Sequence, residues 1–310
     1  LRALASPSGP AALALRKGMT ADRPSIVQLF KEAFFRLFAD EAIPLAGNIA
    51  FRTIFSVFPF LIFMTTLAGF IGNDELAQRV VNYLLGVAPE QLVAPLSPEI
   101  HSILTVKRRG LAGFAALLTL WSAMGGIDCL RVALNRAYDL REHRGLWRLY
   151  GIDILFVIGS AAGLMLFSAL IIIGPVAINI IDAHAPGFRQ SLGVLDALRL
   201  PAAMLLLTSG LLMAHRVLPA RSLRFRDILP GVLLTTIVWF ILSTAFSAYL
   251  VNFNTFASTY ASLSGVFAAM FFLYLAALVM IFGGELNRVL MIHREFRAAS
   301  NAKTPDISPE

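Results

Sequence analysis

From Ser25 onward the apolar positions are Ile26, Leu29, Phe30, Ala33, Phe34, Leu37 and Phe38, with Gln28, Lys31, Glu32 and Arg36 spread over the other side. This period is helical, and Ser25 is placed as its N-cap. Phe35 falls off the stripe. The helix is too short and too charged to cross a bilayer, so it is expected to lie in the interface before the first span.

Longer uncharged runs follow. A bilayer core of ~30 Å needs about 20 helical residues. Arg52 and Asp74 bracket 21 uncharged residues, and the preceding turns extend that helix to about 43–71. Arg109 and Asp128 bracket 18, predicting a helix over about 110–134, and Asp153 and Asp182 bracket 28, predicting one over about 150–181. A fourth, over about 199–218, is the weakest, because His215 and Arg216 cut it short. The 57 residues between Asp227 and Glu285 carry no charge. That is too long for one span, and the polar stretch 252–259 divides it into helices over about 228–251 and 260–284. The expected fold is therefore all-α: a polytopic membrane protein with six transmembrane helices and an N-terminal interfacial helix. The membrane domain is placed at 25–295, with disordered cytoplasmic tails at 1–24 and 296–310. The loop between the first two spans carries Leu76, Val80, Tyr83 and Leu84 as a short apolar stripe, ahead of Pro89, Pro95 and Pro98, and reads as a membrane-associated cap.

Composition agrees with the pattern: 57% of the 310 residues are hydrophobic, 15% charged, and mean hydropathy is +0.73. A soluble domain carries about 25% charged residues. The net charge of +7 would suggest nucleic acid in a soluble protein. Here 19 of the 26 Lys and Arg fall on one set of alternating segments and 5 on the other, which places both termini in the cytoplasm and accounts for the basic balance without nucleic acid. Lys107, Arg108 and Arg109 run against that bias. Residues 1–18 lack the apolar core of a secretory signal. The lone Cys129 excludes an intrachain disulfide and any multi-cysteine metal site, and reads as a small buried residue.

Two stretches carry a resemblance. Phe51-Arg52-Thr53-Ile54-Phe55-Ser56-Val57-Phe58-Pro59-Phe60-Leu61, and the last span from Tyr260-Ala261-Ser262-Leu263 through Phe282-Gly283-Gly284-Glu285-Leu286-Asn287, resemble the signatures of the YihY/BrkB membrane protein family. The resemblance covers about residues 25–295. It implies six spans in a bacterial inner membrane. Some members of that family carry the label ribonuclease BN, and others are linked to serum resistance or proposed as transporters. Many carry an aromatic residue where this chain has Arg52, so a role for Arg52 would belong to this chain rather than to the family.

Ionisable groups within spans cost about 2.5–3.5 kcal/mol each and are functional candidates by default. Asn48, Arg52 and Ser56 recur every four residues on one helical face, with Asp128, Asp153 and Glu285 as partners from other helices. Arg52 could instead reach the headgroups, and Asp128 could simply pair with Arg131. Glu285 and Asn287 are expected at the end of the last span, with a basic partner for Glu285 on the loop between spans four and five or on the first helix. Pro59 predicts a mid-span kink. Gly159 and Gly163, and Ala261, Gly265 and Ala269, permit close helix approach within the chain or in a homo-oligomer. His101, His143, His184, His215 and His293 are scattered, so no metal site, cofactor or catalytic group is expected.

The reading that follows is a transporter or flippase of an amphiphilic or anionic small molecule, with membrane lipids as its partners. A scaffold or envelope-assembly factor is the alternative, and a membrane-tethered ribonuclease the weakest of the three.

Overall fold

The computed structural model describes residues 24–70, 111–174, 178, 189–253 and 261–301. The predicted cap between the first two spans, Lys107 to Arg109, residues 254–259 of the polar stretch, the N-terminal tail up to residue 23 and residues 302–310 lie outside these. Among the described residues seven helices run in chain order: α1 (Ile26–Ala39), α2 (Ala42–Phe70), α3 (Leu111–Ala137), α4 (Leu146–Ser168), α5 (Arg189–Val217), α6 (Phe225–Phe253) and α7 (Ala261–Asn301). A π-helical turn, Ala169–Ile173, continues α4. Among the described residues there is no strand.

Successive helices from α1 to α6 pack on their chain neighbours where both are described, and α7 closes the arrangement by packing on α6, α1, α2 and α3. Stretches of α3, α4, α5, α6 and α7 are long and apolar enough to cross a membrane, and Ala42–Val57 of α2 is a shorter apolar stretch. The chain is an all-α membrane protein.

The cap of α1 is a full capping box: Val27 N donates to Ser25 Oγ at 3.2 Å, and Ser25 N donates to Gln28 Oε1 at 2.8 Å. Its buried face differs from the apolar stripe, being Ala33, Arg36 and Leu37. Phe30, Phe34 and Phe38 point outward and are more than a third exposed. In the interface the aromatic side can face lipid, while the guanidinium goes inward because carboxylates wait for it there.

Two other expectations are corrected. Helix α5 starts ten residues before 199, though it ends at Val217, just after His215 and Arg216 as predicted; His215 is wholly buried and its Nδ1 lies 2.7 Å from Tyr138 Oη. Helix α7 does not end at 284 but runs on to Asn301, at about 1.5 Å per residue some 60 Å of helix. Its charged half is sheathed by partners: His293 Nε2 is 2.8 Å from Glu32 Oε2 on α1, and Arg294 Nη1 is 3.1 Å from Asp227 Oδ1 on α6.

Small residues set the helix spacing. Ala42 and Ala46 of α2, Ala133 and Ala137 of α3 and Ala277 of α7 share one buried cluster with Leu37 and Ile281. Lipid tails are as apolar as leucine, so such close backbone packing, rather than apolar burial alone, holds the helices together. Polar bonds add to it: Trp239 Nε1 donates to the Ala276 carbonyl at 2.9 Å, joining α6 to α7.

Candidate functional site

The expected site residues fall into two places. Asn48, Arg52, Asp128 and Asp153 line one open cleft of about 570 Å³ between α2, α3 and α4. Glu285 and Asn287 lie in a separate buried cluster. Ser56 shares the face of Asn48 and Arg52 but does not line the cleft; its hydroxyl donates to the Thr53 carbonyl at 2.7 Å. Pro59 lies within α2, beyond the described side chains.

The cleft has an apolar rim and a polar floor. Phe51, Phe55, Trp121 and Leu146 are at least half exposed at its edge. Arg131 occupies the floor, pairing with Asp128 on its own helix, with Glu142 Oε2 at 3.5 Å and with Asp153 Oδ1 at 3.7 Å. The Asp128–Arg131 pair is the local reading taken from the sequence. Ser122 Oγ, Arg131 Nε and Asp153 Oδ1 are buried in this lining without a hydrogen-bond partner among the described residues. Arg131 Nε and Asp153 Oδ1 nonetheless face each other as an ion pair, which leaves Ser122 Oγ as the lining atom without a partner among the described residues.

Arg52 is exposed and reaches across from α2 to α3. Its guanidinium covers Gly125, where an added Cβ would collide with Nη1, and lies within hydrogen-bonding reach of the Cys129 sulfur. Cys129 itself is buried, as its apolar surroundings predict. Among the described residues no carboxylate comes within ion-pair distance of Arg52, whereas Arg131 has three.

The short 138–145 connection below the floor is pinned by charge. Arg144 bonds Glu142 through Nε at 2.9 Å and Nη2 at 2.8 Å, and donates to the carbonyls of Val217 and Leu218 at 3.2 and 2.6 Å. The hydrogen bonds from Arg144 hold the Glu142 carboxyl at about 2, below its usual 4.5. A depressed carboxylate stabilises the fold above its ordinary range and loses that contribution as pH falls through the folded value. Between about pH 4.5 and 2 this connection should therefore loosen, and Glu142→Gln should remove that acid step in backbone hydrogen exchange of the segment. An unchanged acid profile in Glu142→Gln would contradict the assignment.

The second cluster is buried where α1, α3 and α7 meet. Arg36 of α1 donates to Glu285 Oε2 at 2.8 Å, to Asp139 Oδ2 at 3.2 Å and to the Ala137 carbonyl at 3.4 Å. Burial alone would lower the affinity of its guanidinium for a proton; Glu285, Asp139 and Asp40 outweigh burial and raise it. The partner of Glu285 is thus on α1, not on the loop between α5 and α6 or on the first span as expected. Glu285 is also mid-helix rather than at the helix end, because α7 continues to Asn301. Asp139, beyond the end of α3, adopts φ 55°, a left-handed conformation that aspartate tolerates better than most residues, and also accepts from Arg288 Nε at 3.0 Å.

Asn287 is a clamp. Its Oδ1 accepts from Gly231 N at 2.7 Å, and its Nδ2 donates to the Ile228 carbonyl at 2.9 Å and to Tyr138 Oη at 3.1 Å. Gly231 is what lets the amide come this close to α6, since a Cβ there would lie 2.6 Å from Asn287 Nδ2. With these bonds made, Asn287 joins α6, α3 and α7 and faces no cleft. Sequence reasoning missed Arg36, Asp40, Asp139 and Tyr138. The available signal was Arg36 itself, a guanidinium one turn before the end of a helix whose partners are a left-handed aspartate and a buried glutamate.

Five membrane-length apolar helices among the described residues, a cleft with charged residues on its floor, and a buried ionic cluster beneath α1 define a polytopic α-helical membrane protein. Residues 33–307 match the family described as virulence factor BrkB, and the chain belongs to that family. It is 28% identical to a ribonuclease-like protein, YfkH, of Bacillus subtilis, over 91% of this chain and 99% of that one. It is 24% identical to a UPF0761 membrane protein of Nitrosospira multiformis, over 93% of this chain and 66% of the relative, just under two thirds of its length. A UPF0761 membrane protein of Alteromonas mediterranea is 22% identical, over 85% of this chain and 88% of its own. No solved structure matches the chain.

Proposed function

We propose that this chain is a six-span protein of the bacterial inner membrane, with both termini in the cytoplasm, that moves an amphiphile with an anionic headgroup by way of the cleft between α2, α3 and α4. The observation that carries this is Arg52, a guanidinium without a carboxylate partner among the described residues, set beside an exposed aromatic rim. A charge in apolar surroundings costs several kcal/mol unless something answers it. The exposed rim offers acyl chains an apolar surface, and the Arg52 guanidinium offers an anionic headgroup its hydrogen bonds.

The ribonuclease-like name belongs to the Bacillus relative, and a nuclease role has less support here: both floor carboxylates, Asp128 and Asp153, are turned to Arg131. A scaffold role draws on one observation. Gly159 and Gly163 of α4 have nothing within 4 Å of an added Cβ, leaving that face open to a second copy or another membrane protein.

Proteoliposomes loaded with fluorescent phospholipids test the transport reading. The protein should speed transbilayer movement of an anionic phosphatidylglycerol analogue over a neutral-headgroup control. Arg52→Ala should cut that rate about tenfold or more, since one charge-assisted hydrogen bond is worth about 1.5–3 kcal/mol. Its thermal midpoint should stay near wild type, because Arg52 is exposed. Gly125→Ala, which displaces the flexible guanidinium rather than backbone, should act the same way more weakly. Wild-type rates equal to empty vesicles, or full activity in Arg52→Ala, would end the proposal.

A further inference from the structure

The buried cluster at the foot of α1 has three carboxylates facing two guanidinia. Arg36 Nε lies 2.8 Å from Glu285 Oε2, and its Nη2 lies 3.2 Å from Asp40 Oδ2 and 3.2 Å from Asp139 Oδ2. Arg288 Nε reaches Asp139 Oδ2 at 3.0 Å.

The surrounding charges do not correct the imbalance. From the α1–α2 turn and α3, Glu41 and Arg136 pair with each other. His293 on α7 pairs with Glu32 on α1 at 2.8 Å. Glu295, half exposed, is 3.9 Å from Arg288 Nη1 and adds a negative charge. From α5 comes His215, already held by Tyr138. From α6 comes Asp227, already paired with Arg294.

Two acceptor atoms in the cluster are buried without a hydrogen bond among the described residues: Glu285 Oε1, and Asp40 Oδ2, which Arg36 Nη2 approaches as an ion pair but out of hydrogen-bond alignment. The Asp40 and Glu285 carboxyls nonetheless lie within hydrogen-bonding reach of one another. Two ionised carboxylates cannot hydrogen-bond. One proton between them supplies the missing donor and brings three acids and two guanidinia to neutrality.

We propose that Asp40 and Glu285 hold one exchangeable proton between them, so that this cluster is a proton-binding site tying the docking of α1 on α7 to pH. The exposure of Asp40, about a fifth of its side chain, gives the proton a path to water, while Glu285 is fully buried. Burial raises the Asp40 carboxyl above its usual range, with Arg36 opposing and Asp139 reinforcing the shift. A raised carboxyl favours the docked state where it is protonated and loses that advantage as pH rises through the folded value. Docking should therefore weaken toward alkaline pH. The site stands whatever the cleft carries.

Infrared spectroscopy of the protein in lipid nanodiscs reads the proton directly. At neutral pH the wild type should show a protonated-carboxyl band that exchanges in heavy water. Asp40→Asn and Glu285→Gln should each remove it, while Asp153→Asn should not. No such band in the wild type, or its survival in either of the first two variants, overturns the proposal. Both amides keep a hydrogen bond between positions 40 and 285, so the fold is retained. Hydrogen exchange gives a second readout. After correction for intrinsic rates, α1 amides of the wild type should open faster as pH rises, by up to about tenfold per pH unit, the limit for one proton. Asp40→Asn should flatten that slope, and an unchanged slope would equally overturn the proposal.

Discussion

Arg36→Met should cost more stability than any other single loss of charge in the protein, about 3–5 kcal/mol, the usual penalty for breaking a buried ion pair from one side. Arg36 is 2% exposed and is the shared partner of Glu285, Asp139 and Asp40. Without it Glu285, which is fully buried, keeps no opposite charge at hydrogen-bond distance, and the foot of α1 presents three acids to one another. A total stability of about 5–15 kcal/mol leaves little room for such a loss. The thermal midpoint in detergent should fall steeply, and the monodisperse fraction with it. Proton uptake by Glu285 limits the damage, so the deficit should be largest at alkaline pH. Arg36→Lys should recover part of the loss, because an ammonium keeps the charge but cannot bridge the same spread of acceptors. The double variant Arg36→Met with Glu285→Met should recover more, since paired apolar replacements leave no buried charge behind. A midpoint for Arg36→Met within a degree or two of wild type would show that the cluster is not holding α1.

The helices were legible because hydrocarbon imposes a length and forbids unpaired backbone, and both constraints write themselves into uncharged runs. Ser25 was legible as a cap for a similar reason, being wholly local, though the part of Gln28 in it was not read. What was not legible is long-range pairing. Arg36 and Glu285 are 249 positions apart, and an uncharged-run rule treats Glu285 as the end of a span when it is only a group with a partner. Helix α7 therefore ran further than the run allowed. The outward turn of Phe30, Phe34 and Phe38 was missed because an amphipathic stripe names a face without saying whether lipid or protein covers it. The four-residue repeat of Asn48 and Arg52 did place both on the cleft. Ser56, on the same repeat, satisfies itself on its own backbone instead. Asn287 looked like a site residue because polar groups in spans are costly, yet that cost is met by a structural clamp.

Gly231→Ala should be the most damaging one-carbon change. An added Cβ at Gly231 would run into the Gly283 carbonyl oxygen and come within 2.6 Å of Asn287 Nδ2 and 2.7 Å of its Cγ. The first obstacle is backbone, so α6 and α7 must separate rather than let a side chain swing away. Separation also takes Asn287 Oδ1 from the Gly231 amide, where it now accepts at 2.7 Å. Overpacking costs about 1–3 kcal/mol, and a buried amide left without its acceptor about 1–3 more. Replacing a mid-helix glycine returns up to about 1 kcal/mol, so the net should be a loss of roughly 3 kcal/mol. Gly283→Ala should behave alike, because its Cβ would meet Thr235 Oγ1 and lie 2.8 Å from the Gly231 carbonyl oxygen. Gly47→Ala is the control: nothing lies within 4 Å of a Cβ there, and the change should be neutral or slightly stabilising. Thermal unfolding of the three variants in one detergent separates the cases. Equal midpoints for Gly231→Ala and Gly47→Ala would mean that α6 and α7 do not touch at this crossing, and that Asn287 is free for some other task.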